Sequence, residues 1–524
     1  MKKRAALVCL LFLCVRCATA QSQSPPAYQV VLYSATTPSG VIPSVYPYSG
    51  GNCTIGVSCN FSASNFKGTD TISDLTVTLN SSIATALSVI PVASPASGVI
   101  TKTDPVTGAE LPVDYTLGPV FTERAETIGR HKFYIGLSNQ DFHFTSLNGQ
   151  SLKAITMMDV GRQITNLQVG GPPVLTPTTT LNIGMDVRIA QNLAFLTYGL
   201  TSRLDVSLGL PLVHAAVSAR GSNELVYSGN GFANAVGTQY NNVNCWCAGT
   251  LTPGIDPLGR PGGAGPVLNP SGLVGLVMPN INDAATAHSG FGDMLIRVKG
   301  TAIERRNFAV ALGADLRLPT GDERNFLGTG ATAIKPFVAL SLYTTPLPHG
   351  IVFAPHVNLG WQYSGESILG GLAKPTPLGV STGGFGAPFT PTKDFLPDVF
   401  SWAVGTEVAL GRRNTVVLDV LGNEIGWVHG IPSLMPASVP NVPLPAADFC
   451  SGNPCGPTNG HPQLVTAVGN VPAGRVSYGQ YSGSIGYKAK IAGNLVGTFN
   501  MLLRLDHNGL TDRAVPLFGL GYTF

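Results

Sequence analysis

The chain has 524 residues, of which 11% are charged and 44% apolar, with 63 Gly and 40 Pro. Past the N-terminus there is no run of about 18 apolar residues, which excludes a bundle of helical membrane spans, and the wealth of turn formers fits β structure with long loops. The formal net charge of +3 does not point to nucleic acid or anionic lipid, because four of the 31 basic residues sit in a leader whose removal leaves 27 against 28 acidic residues.

That leader begins with Lys2, Lys3 and Arg4, continues through the apolar stretch Ala5 to Val15, and ends on Ala18-Thr19-Ala20. A basic start, a short apolar core and a small-x-small end predict a secretory signal over residues 1–20. Of nine cysteines, Cys9, Cys14 and Cys17 leave with it. The other six fall into close pairs, Cys53 with Cys59, Cys245 with Cys247, and Cys450 with Cys455. In an exported chain such pairs predict local disulfides that staple loops. No histidines accompany them at ligand spacing, so neither a metal nor a cofactor is expected.

Residues 21–125 are rich in Ser, Thr, Pro and Val, with alternation at Tyr28 to Tyr33 and at Thr71 to Leu79. They read as a small periplasmic β module, with an unstructured or barrel-plugging segment as the alternatives. After Thr122-Glu123-Arg124-Ala125-Glu126-Thr127, residues 126–524 carry a succession of alternating segments. The first covers about Lys132 to Thr145; the connection after it holds Leu152 to Leu167, the one short stretch that reads as a helix. Two more follow at Met185 to Tyr198 and Leu204 to Val217, joined by a short turn.

The clearest pattern runs from Phe291 to Gly321. Phe308, Val310, Leu312, Ala314, Leu316 and Leu318 share one face of a strand, with Asp315 and Arg317 opposite. Its partner places Met294, Ile296 and Val298 against Asp293, Arg297 and Lys299. Further alternating segments lie at Pro336 to Leu342, Ile351 to Tyr363, Phe400 to Leu410, Val416 to Asn423, Val476 to Lys490 and Leu495 to Asp506. Pro355 within one of them is unusual for a strand. The last segment closes the chain with Phe518, Leu520, Tyr522 and Phe524 on one face.

Strands of this length, apolar outward and polar inward, with alternately tight and long connections, predict an all-β protein. The expected architecture is a transmembrane antiparallel β-barrel of about 12 strands in the bacterial cell outer membrane. A terminal Phe with apolar residues at every second position resembles the C-terminal signal by which outer-membrane barrels are recognised for insertion. The resemblance implies two partners, the outer-membrane lipid and the barrel-assembly machinery.

Tyr198-Gly199-Leu200-Thr201-Ser202-Arg203-Leu204, Gly292-Asp293, and Leu318-Pro319-Thr320-Gly321-Asp322 followed by Leu327-Gly328-Thr329-Gly330 carry a second resemblance. Over roughly residues 120 to 524 the chain is similar to the outer-membrane barrel family labelled transporters of the phenol meta-degradation pathway. The family name implies uptake of small aromatic or hydrophobic compounds.

Inward parity makes Asp293, Arg297, Lys299, Asp315, Arg317, His356, Glu407, Asp419 and Arg504 candidates for lining a pore. The competing reading is that they pair with one another and fill the lumen. Asp322, Glu323 and Arg324, in the turn after Leu318, are candidates for a constriction, while Trp361, Tyr363 and Trp402 have the parity of a membrane-interface girdle. Gly379-Val380-Ser381-Thr382-Gly383 matches G-x-S-x-G but lacks the strand-to-helix elbow that exposes a nucleophile, and no other catalytic constellation is expected. The sequence therefore favours a channel for passive uptake over two alternatives. One is a non-conducting structural or adhesive barrel that displays stapled loops, and the other a hydrolase built on His356.

Overall fold

The computed structural model describes residues 26–30, 68–94, 101–103, 110–112, 116–160, 164–165, 174–228, 267–268, 274–275, 280–305, 307–342, 344, 351–371, 373–374, 390–411, 413–429, 433–439, 467–471 and 475–524. All six candidate disulfide cysteines and the leader lie outside the described residues.

Twelve strands form the wall. They are β1 (Phe133–Phe144), β2 (Val174–Thr201), β3 (Leu204–Ser228), β4 (Met294–Glu304), β5 (Phe308–Leu318), β6 (Ala333–Leu342), β7 (Ile351–Ser364), β8 (Val399–Leu410), β9 (Asn414–His429), β10 (Arg475–Ala492), β11 (Leu495–Arg504) and β12 (Ala514–Thr523). Each is antiparallel to the next, and β12 pairs with β1 from Leu517↔Gln140 to Thr523↔Tyr134, which closes the barrel. Closure leaves no unpaired sheet edge, the condition for a sheet to stand in lipid.

The expected parity holds around the ring. Leu312, Leu210, Leu212, Leu359, Val404, Leu418, Phe499 and Leu503 are exposed on the outer face, where they meet lipid, whereas Ala309, Ala311, Glu407 and Asp419 are buried inside. Phe518, Leu520, Tyr522 and Phe524 all face outward. Trp361 packs at a tilt against Phe400 and Tyr363, and Trp402 against Tyr481, so aromatic groups cluster on the lipid side. This apolar band on a closed, even-numbered antiparallel barrel marks an outer-membrane protein.

Pro355 is accommodated because the β6–β7 ladder stops at Ser341↔His356, one residue short of the missing N–H. The tight turns and both barrel termini gather at one end, the periplasmic end by the rule for such barrels. At the opposite end β2 and β3 extend for 28 and 25 residues, beyond the roughly 9 to 11 needed to cross lipid. Ile155–Val160 and Asn280–Phe291 pair with their upper halves and thicken this extracellular wall. The helix expected between Leu152 and Leu167 is therefore replaced in part by a strand.

A larger correction concerns residues 21–125. Thr71 to Leu79, read as alternating, lies within a 22-residue helix, α1 (Gly68–Val89), Ala27–Gln29 form a single 3-10 turn, and the β structure among the described residues of this region is the short antiparallel pair Thr101–Thr103 and Glu110–Pro112. In α1, Leu79, Ile83, Ala86 and Leu87 are buried, and so are Thr78, Asn80, Ser81, Ser82 and Thr85. Burial of both apolar and polar residues erases the two-faced pattern by which a helix is read from sequence. The small hydroxyls fit because Ser81, Ser82 and Ser88 bond back to carbonyls of the preceding turn.

Candidate functional site

The candidate site is the barrel lumen. Two parts of the N-terminal region occupy it, α1 towards the extracellular end and a strap of residues 116–128 across the periplasmic half.

The strap is short of partners of its own, and the wall supplies them. Near one side Leu117 N donates to Thr415 Oγ1 and Lys488 Nζ donates to Pro119 O. Further along, Thr122 Oγ1 and Phe121 N donate to Asp419, and Glu123 N donates to Asn358 Oδ1 at 2.6 Å. Ala125 N reaches Ser341 Oγ, and Ile128 N reaches Asp205 on the far wall. Backbone buried in the lumen without regular secondary structure would otherwise leave these groups unpaired, at a cost for each.

Its charged side chains are held more firmly still. Arg124 is fully buried and donates to both oxygens of the equally buried Glu407, at 3.2 and 2.8 Å. Glu123 accepts from Arg297 at 2.8 Å, from Lys299 at 2.7 Å and from Ser94 at 3.0 Å. Burial alone would raise the Glu123 carboxyl, but Lys299 and Arg297 together outweigh it and hold the group below its ordinary value. Lys299 also donates to the carbonyls of Arg124 and Glu126, and Glu126 accepts from Ser341.

Of the nine pore candidates, Arg297, Lys299, Glu407 and Asp419 bind the strap directly. Asp315 forms a paired-fork contact with Arg297, at 2.6 and 2.8 Å. Arg317 donates to the Leu87 carbonyl near the end of α1. Arg504 turns instead to Asp506 and the Asn508 carbonyl in the loop between β11 and β12. Asp293 accepts from Gly321 N, Thr329 N and Thr329 Oγ1, which pins the loop after β5 to the β4 wall. Gly328 is required there, since an added Cβ would fall 2.2 Å from the Asp293 carboxylate.

In that loop Asp322 caps its own 3-10 turn, Arg324 is exposed, and Glu323 bonds Ser367 and the Ile368 amide. The apolar side chains it buries, Phe326, Leu327 and Ala331, lie in one cluster with the helix residues Leu79 and Ile83.

His356 gains neighbours that spacing did not assign to it. Its Nδ1 lies 3.1 Å from Ser341 Oγ, and its Nε2 lies 2.8 Å from Glu407 Oε1. The Ser-His-Glu sequence of contacts looks catalytic, but Ser341 is wholly buried and its hydroxyl already serves Ala125 N and Glu126. No substrate carbonyl could approach it, so the trio acts here as a socket for the strap. Among the described residues there is no group of three or more His, Cys, Asp or Glu side chains placed to hold a metal ion.

Between α1 and the strap lies a cavity of about 140 Å³. Ser88 to Val92 roof it, Phe121 and Glu123 form part of its floor, and β4 to β9 wall it with Arg297, Asp315, Arg317, Lys335, Phe337, Asn358, Gln362 and Asn423 among others. Sequence reasoning missed the strap residues Glu123, Arg124 and Glu126 and the wall residues Lys335, Lys488 and Asp205. A cluster of three charges within six residues, in a chain only 11% charged, was the available signal for the strap.

No curated protein matches this sequence. Among solved structures, the chain is similar to an outer membrane channel from Pseudomonas putida F1, at 11% identity and a TM-score of 0.35, over 79% of this chain and 99% of that one. It is also similar to a FadL homologue from Pseudomonas aeruginosa, at 7% identity and 0.27, over 75% and 90%. The toluene transporter TbuX of Ralstonia pickettii aligns at 10% identity and 0.25, over 76% and 90%. Residues 166–367, from just before β2 to just beyond β7, match the family described as "Putative MetA-pathway of phenol degradation", in agreement with the resemblance carried by the sequence motifs.

Proposed function

We propose that this protein is an outer-membrane channel for the passive uptake of small solutes, held closed in the state described by its own strap and helix. The observation that carries this reading is the partly open chamber at mid-lumen, roofed and floored by two segments that belong to no wall strand. A barrel serving only as an anchor needs its lumen filled, whereas a chamber with polar walls between two plugs is what a gated path requires. The family match favours hydrophobic or aromatic solutes.

The strap is the natural gate, because it is fixed to the wall by replaceable polar contacts and lies across the periplasmic exit. Refolded protein in planar bilayers should show rare, brief openings, and Glu123→Ala should lengthen them by freeing Arg297 from the strap and removing one of the three bonds that Lys299 makes to it. Flux of radiolabelled phenol or toluene into proteoliposomes should rise in the same variant. Silence and absence of flux in both proteins would overturn the channel reading. That result would favour a non-conducting surface barrel, a reading to which the tightly filled lumen already lends weight.

A further inference from the structure

The chamber has an uneven charge distribution that its own contacts do not resolve. Three cations, Arg297, Arg317 and Lys335, face two carboxylates, Glu123 and Asp315. Both carboxylates are taken, Asp315 by the fork of Arg297 and Glu123 by Arg297, Lys299 and Ser94. Arg317 spends one N–H on the Leu87 carbonyl, and among the described residues no hydrogen bond or ion pair is formed by the Lys335 ammonium. Asp293 and Asp315 attract Arg317, and Asp315 is the cross-strand neighbour of Lys335, but the Asp315 oxygens are held by Arg297, so both half-buried cationic heads keep donors free towards the chamber.

The rest of the lining is apolar on one side. The Phe337 ring packs against Gly313, so closely that an added Cβ there would collide with it, and the Arg297 guanidinium stands over the ring 5.1 Å from its centroid, while Ile90, Pro91 and Val92 close the roof. A chamber of about 140 Å³ is comparable to a cavity of about 150 Å³ that holds benzene.

We propose that this chamber is a binding site for a small organic monoanion, a carboxylate on a compact apolar body. The carboxylate sits on Lys335 and Arg317, and the body rests against Phe337, Ile90 and Val92. A planar carboxylate suits the guanidinium fork and supplies the one negative charge that the lining lacks. The inference rests on the channel reading only for its physiological sense, since the site itself is defined by the closed state.

The test is isothermal titration of the full mature chain in detergent with benzoate, and with benzyl alcohol as the neutral probe of similar size. Benzoate should bind and benzyl alcohol should bind markedly less well. Lys335→Met should weaken benzoate about ten- to a hundred-fold while leaving benzyl alcohol unchanged, and Lys335→Arg should retain most of the affinity. Retained heat-modifiable migration on gels would show that each variant is a folded barrel. Equal affinity for the two probes, or a Lys335→Met variant that binds benzoate as the parent does, would overturn the proposal. So would displacement of benzoate by chloride at equal concentration, which would make the site one for inorganic anions. Solute flux measured on the same preparations separates the two ideas. Binding without flux sinks the channel and keeps the site, and flux without binding does the reverse.

Discussion

The two ends of the lumen are filled by opposite means. Towards the periplasm the strap is tied by directed contacts, Arg124 to Glu407, Glu123 to Arg297 and Lys299, and Thr122 to Asp419. Towards the outside, α1 is seated by apolar packing, with Leu79, Ile83 and Leu87 in one cluster with Phe142, Ile183, Val187, Val213 and Phe326. Directed bonds hold one register and break singly, whereas apolar packing tolerates small shifts and fails only as a whole. The periplasmic plug is therefore suited to stepwise release and the extracellular one to steady occupancy.

The strongest challenge to this contrast is Arg124→Ala. It leaves Glu407 buried without its partner, at a cost of about 3–5 kcal/mol. The variant should melt earlier and show long openings in bilayers; unchanged conductance would mean that the strap is not the gate. Thr415→Val removes the acceptor of Leu117 N and should cost about 1–3 kcal/mol. Its effect should appear in protease cleavage of the strap from the periplasmic side before it appears in melting. Ile83→Val trims one methylene from the helix cluster and should cost about 0.5–1.5 kcal/mol. Here a lowered melting point with no new openings is the expected result, and new openings would erase the distinction between the two plugs. The smallest effect should come from Arg188→Ala, which removes the exposed ion pair with Asp141 on the extracellular wall. Neither melting nor conductance should change measurably, since solvent and salt already screen such pairs.

Much of the wall was legible in the chain because lipid imposes a simple rule. Each strand must turn apolar groups outward at every second residue, and no long-range information is needed to see Leu312 opposite Asp315. Strand number, the tight-turn side and the outward faces of Phe518 to Phe524 followed from that period alone. The inward charges were visible for the same reason, but their partners were not.

What parity cannot express is who fills the inside. From Val77 to Ser88 helix α1 is buried throughout, so the Ser and Thr residues of that stretch are as buried as its Leu and Ile, and the usual contrast between faces disappears. The union of Arg124 with Glu407 spans 283 positions, and that of Ala125 with Ser341 spans 216. Such pairs are decided only when the barrel closes and brings distant strands around one axis. Sequence by itself determined the barrel, its lipid face and its orientation, because the membrane reads residues one at a time. Tertiary structure decided the strap, the socket at His356 and the mid-lumen chamber, because those depend on which buried charges meet.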